Sequence, residues 1–286
     1  MKKMLIGGVP EHFNLPWYLT LRDKKYQEVG INLRWTDFYG GTGQMCKALR
    51  NKEIDMAVIL TEGIVRDIIK GNECKIVQVF VKSPLIWGIH VADNSSYQEL
   101  EDLKGTAAAI SRYGSGSHLM AFVNAERQGW NVETDLEFEV IKNLDGALEN
   151  LPLGNGDYFM WEKFTTKPYV DQGIFRLLGE CPTPWPCFVI AVRDDVLEED
   201  RESVQKILNI INDNTRTFKD LPGIDSMISK RYDQKIEDVR LWLSLTRWSQ
   251  SNIAEEELTK IQEKLVQLDL IDEVWPSNRI LYNFES

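Results

Sequence analysis

Two glycine-rich turns are the first places in the chain where chemistry could be done. Gly41-Thr42-Gly43 and Ser115-Gly116-Ser117 each follow a strand-like segment and open a helix-like one. A helix start carries N–H groups without intrahelical partners and the positive end of the macrodipole, so it favours an anion or a carbonyl oxygen. The hydroxyls of Thr42, Ser115 and Ser117 add further donors. The plainer alternative is that glycine and serine build ordinary N-caps and tight turns here. Two carboxylates occupy comparable positions. Thr61 and Glu62 follow the apolar run 55–60, and Glu162 follows the apolar segment 158–161 that ends on Trp161. Each is a candidate ligand contact or a solvated residue at a strand end. Phe13, Tyr39, Tyr113, Trp161 and Trp185 offer stacking faces for a flat heterocycle. Trp35, Trp242 and Trp248 are assigned to packing. His12 and Asn14, in the loop after the first strand, could hydrogen-bond a ligand, whereas His118 reads first as structural.

The background composition removes several classes of function. The net charge is −11 and no Lys/Arg run interrupts it, so a duplex-binding surface is excluded, and nucleic acid is not an expected partner. None of Cys46, Cys74, Cys181 and Cys187 forms a CxxC pair, and the three histidines make no HExxH spacing. No metal and no cofactor is therefore expected. Cys181 and Cys187 bracket Pro182-Thr183-Pro184-Trp185-Pro186 and read as buried thiols flanking a rigid connector. The apolar stretch near the start, 4–9, is shorter than the roughly 7–15 residues of a secretory core. No later stretch reaches the length of a membrane span. The chain as it stands reads as cytoplasmic, or periplasmic if an export signal had been trimmed away.

The elements that must position these residues alternate. Strands are expected at 4–9, 32–38, 55–60, 75–81 and 86–91, with a helix at 17–29 and others after Gly40–Gly43 and after Glu62. A second series follows, with strands at 106–111, 136–141, 158–161 and 175–178 and helices at 118–128 and 143–150. A strand at 188–192 and an all-helical tail from 199 to about 270 complete the chain. Such alternation is the pattern of an α/β protein with largely parallel sheets, and 286 residues allow about two domains. In open sheets of this kind ligands bind at the carboxyl ends of the strands, where the glycine-rich turns and both carboxylates fall.

The segment Leu49-x-x-x-Glu53-Ile54-Asp55-Met56-Ala57-Val58 resembles the first-lobe signature of type II periplasmic binding proteins. Leu100-Glu101-Asp102-Leu103-Lys104-Gly105, followed by a strand and Gly114-Ser115-Gly116-Ser117, resembles their entry to the second lobe. Within that superfamily the chain is most similar to the group containing alkanesulfonate-binding proteins and thiamine-pyrimidine binders and synthases. GGVPEHFNLP, YGGTGQMCKALRNKEID, SRYGSGSHLMA, MWEKFTTKP and GECPTPWPCFVIAVR resemble a small bacterial and fungal family of the same fold without export signals. The resemblance implies two α/β lobes with a hinge and a helical C-terminal tail. The first would be 1–91 with 187–286, the second 92–186. It also implies an interlobe ligand cleft faced by Glu62 and Glu162, with Trp161-Glu162 gripping a ligand amino group.

Function follows the same division. The expected activity is binding of a small polar or heteroaromatic metabolite, pyrimidine- or sulfonate-like, with no catalytic residue. The implied partners are that small molecule and the membrane component of an ABC transporter; a carrier or sensor role fits equally. The competing class is an enzyme on the same fold, with His12, Glu62 or His118 as base. The cysteine-rich CCCFC motif of the thiamine-pyrimidine synthase is absent from the sequence; chemistry of the menaquinone-precursor type stays open.

Overall fold

The computed structural model describes residues 1–284, which form two units: Met1–Ser83 together with Trp185 onward, and Pro84–Pro184. In the first, β1 (Lys2–Gly8), α1 (Leu15–Arg22), α2 (Lys25–Glu28), β2 (Ile31–Asp37), α3 (Gly41–Arg50), β3 (Met56–Leu60), α4 (Thr61–Ile69) and β4 (Cys74–Val81) run in order. The second holds β5 (Ile86–Ala92), β6 (Ala107–Ile110), α5 (Gly116–Gln128), β7 (Glu137–Val140), α6 (Leu144–Asn150), β8 (Tyr158–Glu162), α7 (Lys163–Asp171) and β9 (Phe175–Pro182). The chain then re-enters the first unit with β10 (Phe188–Arg193), α8 (Asp194–Thr217), α9 (Ile224–Tyr232), α10 (Ile236–Leu245) and α11 (Glu255–Gln267). Among the described residues no helix is long and apolar enough to cross a membrane.

Each unit is built on a five-stranded sheet with one wiring. The orders are β2-β1-β3-β10-β4 and β7-β6-β8-β5-β9. In the first sheet β1 runs parallel to β2 and β3, and β10 is antiparallel to β3 and β4. In the second, β6 is parallel to β7 and β8, and β5 is antiparallel to β8 and β9. In both, the antiparallel strand is the one that enters directly from the other unit. The strand at 86–91, expected in the first lobe, therefore lies in the second sheet, where Trp87 pairs with Glu162 and Cys181. Apolar patterning reveals such a strand but not its partners. Its separation from β4 coincides with Pro84, which has no N–H to offer a ladder. At the other crossing Trp185 belongs to the first unit rather than the second; Cys181, near the end of β9, and Cys187 are buried, as expected of thiols flanking the connector.

Two glycines let the edge of the first sheet close up. A Cβ on Gly7 would stand 2.4 Å from the Phe38 ring, and one on Gly8 2.4 Å from the Trp35 ring. Both rings come from the neighbouring strand or its exit and lie against the end of β1. The expected helix at 17–29 is two helices, because Lys24 adopts a left-handed conformation with φ 55° between them.

The tail is integral to the first unit. Val204, Ile207, Leu208 and Ile211 of α8 are buried, at the spacing of one helical face. Beside them Gln78 Nε2 donates to Asn212 Oδ1 at 2.7 Å, and Asn212 Nδ2 donates to Gln78 Oε1 at 2.9 Å, tying α8 to β4. Gln78 Nε2 also donates to the Ser249 carbonyl at 3.1 Å. Truncating one partner leaves the other's buried amide short of bonds. Asn212→Ala is expected to destabilise the first unit by about 1–3 kcal/mol, measured as a lower urea midpoint at unchanged slope.

Candidate functional site

β1 lies between β2 and β3 and parallel to both: Gly8 pairs with Asp37 where β1 and β2 end, and Gly7 pairs with Ala57 near the start of β3, which runs on to Leu60. The residues that leave these ends make up the candidate site of the first unit. After β1 the chain forms a short turn of 3-10 helix over His12–Asn14. Asn14 is buried, and its Nδ2 donates to the Val9 carbonyl at 2.8 Å. Its Oδ1 has no hydrogen-bond partner among the described residues. His12 is buried against the tail, its ring centroid 4.3 Å from that of Trp242 and 4.8 Å from that of Phe13. Burial lowers its pKa to about 3, so the imidazole is neutral, and its surroundings are those of a packed aromatic residue.

After β2 the backbone turns through Gly41, at φ 63°, into α3. No side chain caps this helix; Gln44 Oε1 instead accepts from the Gly40 amide at 2.9 Å. The half-buried Thr42 lies beside α4, since a Cβ on Gly63 would meet its Cγ2 at 2.3 Å. Gly43 lies in the same first turn.

Glu62, in the first turn of α4, is 2 % exposed. One carboxyl oxygen accepts the Trp185 indole N–H at 2.8 Å. The other, Oε1, is buried with no hydrogen-bond partner among the described residues. Loss of solvent raises the carboxyl pKa to about 7, against smaller opposing effects from its own amide and from Trp185. Thr61 is committed elsewhere. Its Oγ1 donates to the Pro186 carbonyl at 2.6 Å and its amide to the Cys187 carbonyl at 3.1 Å, fastening α4 to the returning chain.

In the second unit the expected residues are largely spent on local structure. Ser115 caps α5 by accepting from the His118 amide at 3.3 Å. Ser117 Oγ accepts from the Ser111 amide at 2.9 Å and lies 3.0 Å from Ser115 Oγ. His118 Nδ1 accepts from the Gly114 amide at 3.0 Å, which leaves the ring proton on Nε2, and its ring packs against Phe138. Gly116 opens the helix, and Tyr113 is exposed with its ring edge toward His118. Glu162 is the N-cap of α7. Its Oε2 accepts the Thr165 amide at 2.7 Å and the Thr165 hydroxyl at 2.8 Å, while burial raises its pKa to about 7. Trp161 does not accompany it. Successive residues of a strand face opposite sides, and Trp161 shares its side with Phe159, stacked at 5.3 Å against the core that includes Phe175 and Leu151. The expected Trp161-Glu162 grip is thus divided between two faces of the sheet.

A set of residues that sequence reasoning missed surrounds the end of β2. Asp37 Oδ1 accepts the Trp35 indole N–H at 2.7 Å and a short hydrogen bond from the Tyr18 hydroxyl. The Arg231 guanidinium lies 4.3 Å over the Tyr18 ring. An acidic residue closing an alternating strand was a signal for Asp37. Nothing in the sequence associates it with an arginine in α9. Among the described residues no group of three or more His, Cys, Asp or Glu side chains is arranged to hold a metal ion.

Over residues 87–181 the chain matches the family described as Ca3427-like PBP. A solved structure of the Candida albicans CA3427 gene product, described as defining a new family with the generic periplasmic binding protein fold, superposes with a TM-score of 0.87. It is 25% identical over 96% of this chain and 92% of that one. The alkanesulfonate-binding protein SsuA from Xanthomonas axonopodis pv. citri, bound to MOPS, gives a TM-score of 0.83 at 15% identity over 99% of both chains. The ligand-binding component of an ABC-type import system from Staphylococcus aureus, with zinc bound, gives 0.79 at 14% identity over 99% and 97%. A sequence search of curated proteins found no match. The chain has the periplasmic-binding-protein fold. Within that class its resemblance is to the Ca3427-like proteins.

The raised pKa of Glu62 has a consequence for stability. The folded state holds this proton up to about pH 7, whereas an exposed carboxyl releases it near 4.5. Folding therefore binds a proton between these values, and stability falls as pH rises through that window. Glu62→Gln removes this slope. The variant is expected to gain up to roughly 3 kcal/mol over wild type at pH 8 and little at pH 5. Urea denaturation at the two pH values measures it, and equal differences at both would contradict the assignment.

Proposed function

We propose that this protein binds a small polar or heteroaromatic metabolite reversibly, using the carboxyl edge of the first unit's sheet. The carrying observation is the Glu62 carboxyl: buried, held through one oxygen by Trp185, and left with a second oxygen that has no partner among the described residues. A buried polar atom without a partner costs about 1–3 kcal/mol, and a ligand that pairs with it recovers that cost. The position at the ends of parallel strands is where ligands bind in open α/β sheets. The fold supports the same reading, because the alkanesulfonate-binding SsuA and the import-system component are ligand-binding proteins.

In this reading the ligand takes its contacts in the first unit from Asn14, the first turn of α3 and Glu62. Delivery to an ABC-type importer and service as a carrier or sensor are the two cellular roles compatible with such binding.

Native mass spectrometry of the purified protein should reveal a co-purified small molecule, released on unfolding. Re-adding it at a hundredfold excess over its dissociation constant should stabilise the fold by about 2.7 kcal/mol. Trp185→Phe, which removes the donor that orients Glu62, should weaken binding roughly tenfold. Recovery of a chemically altered molecule, with turnover lost in Glu62→Gln, would replace binding by catalysis.

A further inference from the structure

A groove of about 440 Å³ opens among the tail helices of the first unit, within the roughly 300–1,000 Å³ of small-molecule sites. Its apolar lining is Leu221, Ile224 and Leu243; Ile224 and Leu243 are buried and Leu221 half-buried. Its polar lining is Lys219, Asp225, Arg240 and Ser244. None of these residues belongs to the carboxyl edge described above. Local sequence shapes the groove. Lys219 sits in a short 3-10 turn after α8, and Gly223, at φ 72°, turns the chain into α9, a left-handed position that glycine takes without steric cost. Arg240 and Ser244 are one turn apart on α10, with Leu243 on the same side. The helix therefore shows the groove a polar row beside an apolar residue.

The side-chain acceptors of this lining are already used, and its donors are not. Asp225 Oδ2 accepts Arg240 Nε at 2.8 Å, and Oδ1 accepts the Ser226 amide at 2.8 Å. Ser244 Oγ donates to the Leu241 carbonyl at 2.7 Å. Arg240 keeps its two terminal nitrogens. Lys219 forms no hydrogen bond or ion pair among the described residues; burial and then the like charge of Arg247 lower its pKa. Asp220, next to Lys219 in the chain, is not part of the lining. In a chain of net charge −11, this groove thus carries two cations against one carboxylate, and that carboxylate is satisfied. A cationic ligand would find no free acceptor. An anionic one would supply acceptors to Lys219 and Arg240 through charge-assisted bonds. Beyond the row of Arg240 and Ser244, Leu241 and Leu245 are 46 % and 42 % exposed, so apolar surface continues on the outer side of α10.

We infer that the tail groove is a second binding site, one that takes a small amphiphilic carboxylate. The carboxylate pairs with Lys219 and Arg240, and the hydrocarbon chain lies on Leu221, Ile224 and Leu243. Both halves of the ligand are needed: the charge fills the unused donors, and the chain removes apolar lining from water. The site is built by the tail of one unit alone, so it is independent of the binding function proposed above and stands or falls without it.

Three probes test the inference on the full-length protein by methyl NMR titration: octanoate, acetate and octyltrimethylammonium. Octanoate is expected to shift the methyl resonances of Leu221, Ile224 and Leu243. Acetate has the charge without the chain and should bind at least roughly tenfold more weakly. Octyltrimethylammonium has the chain with the opposite charge and should leave these resonances in place. Lys219→Gln should weaken octanoate binding roughly tenfold, the scale of a hydrogen bond to a charged group, and Lys219→Arg should restore most of it. Because Lys219 is exposed, both variants should keep the unliganded melting temperature within about a degree. The inference is overturned if octanoate moves none of these methyls or only those of the sheet, such as Ile6 and Val58. It is equally overturned if acetate or octyltrimethylammonium binds the groove as well as octanoate, or if Lys219→Gln binds octanoate like the wild type.

Discussion

Completion of both sheets depends on one exchange of strands. The first sheet needs β10 between β3 and β4, and β10 reaches it only after the chain has built the whole second unit. The second sheet likewise takes β5, the first strand made after the chain leaves the first unit. Without β10, β3 and β4 have no common neighbour and Thr61 has no Pro186 carbonyl to bond. The same return brings Trp185 to Glu62. The Glu62–Trp185 contact is thus a product of the crossover, joining residues 123 positions apart in the chain.

That separation explains what could be read from the amino-acid order. Strand–turn–helix alternation and apolar runs such as 55–60 are local, and they located nearly every strand to within two residues. The positions of the glycine-rich turn at Gly41 and of Glu62, at the starts of helices, were legible for the same reason: each follows such a run. Pairing partners were not legible. The strand at 86–91 is as apolar as those of the first sheet, and only its ladder to Glu162 and Cys181 assigns it to the second. Side-chain direction on β8 is set by which face meets the core, so Trp161 and Glu162 part company although they are neighbours in sequence. Ser115 and Ser117 have the right residue types for ligand contact, but their own turn uses both hydroxyls. Arg231 and Tyr18, brought together by the tail, left no local trace.

The two buried glutamates show how similar positions can take different roles. Both follow a strand, both are almost fully buried, and burial pushes both pKa values to about 7. Glu162 is met at once by the Thr165 amide and hydroxyl, and its function is to start a helix. Glu62 receives one indole proton and keeps an oxygen in reserve. Equal desolvation therefore does not imply equal availability; the number of donors supplied by the surrounding turn decides it.

The four thiols carry a consequence of a different kind. Cys46, Cys74, Cys181 and Cys187 are all buried and outside any disulfide, and burial raises the pKa of Cys74 to about 12. An alkylating reagent needs an accessible thiolate, so it reacts only when the surrounding structure opens. Cys181 is the thiol of the second unit and the other three belong to the first. The native sequence thereby contains a separate chemical clock for each unit: the labelling rate of each cysteine reports the free energy of the opening that exposes it, with no label or mutation introduced.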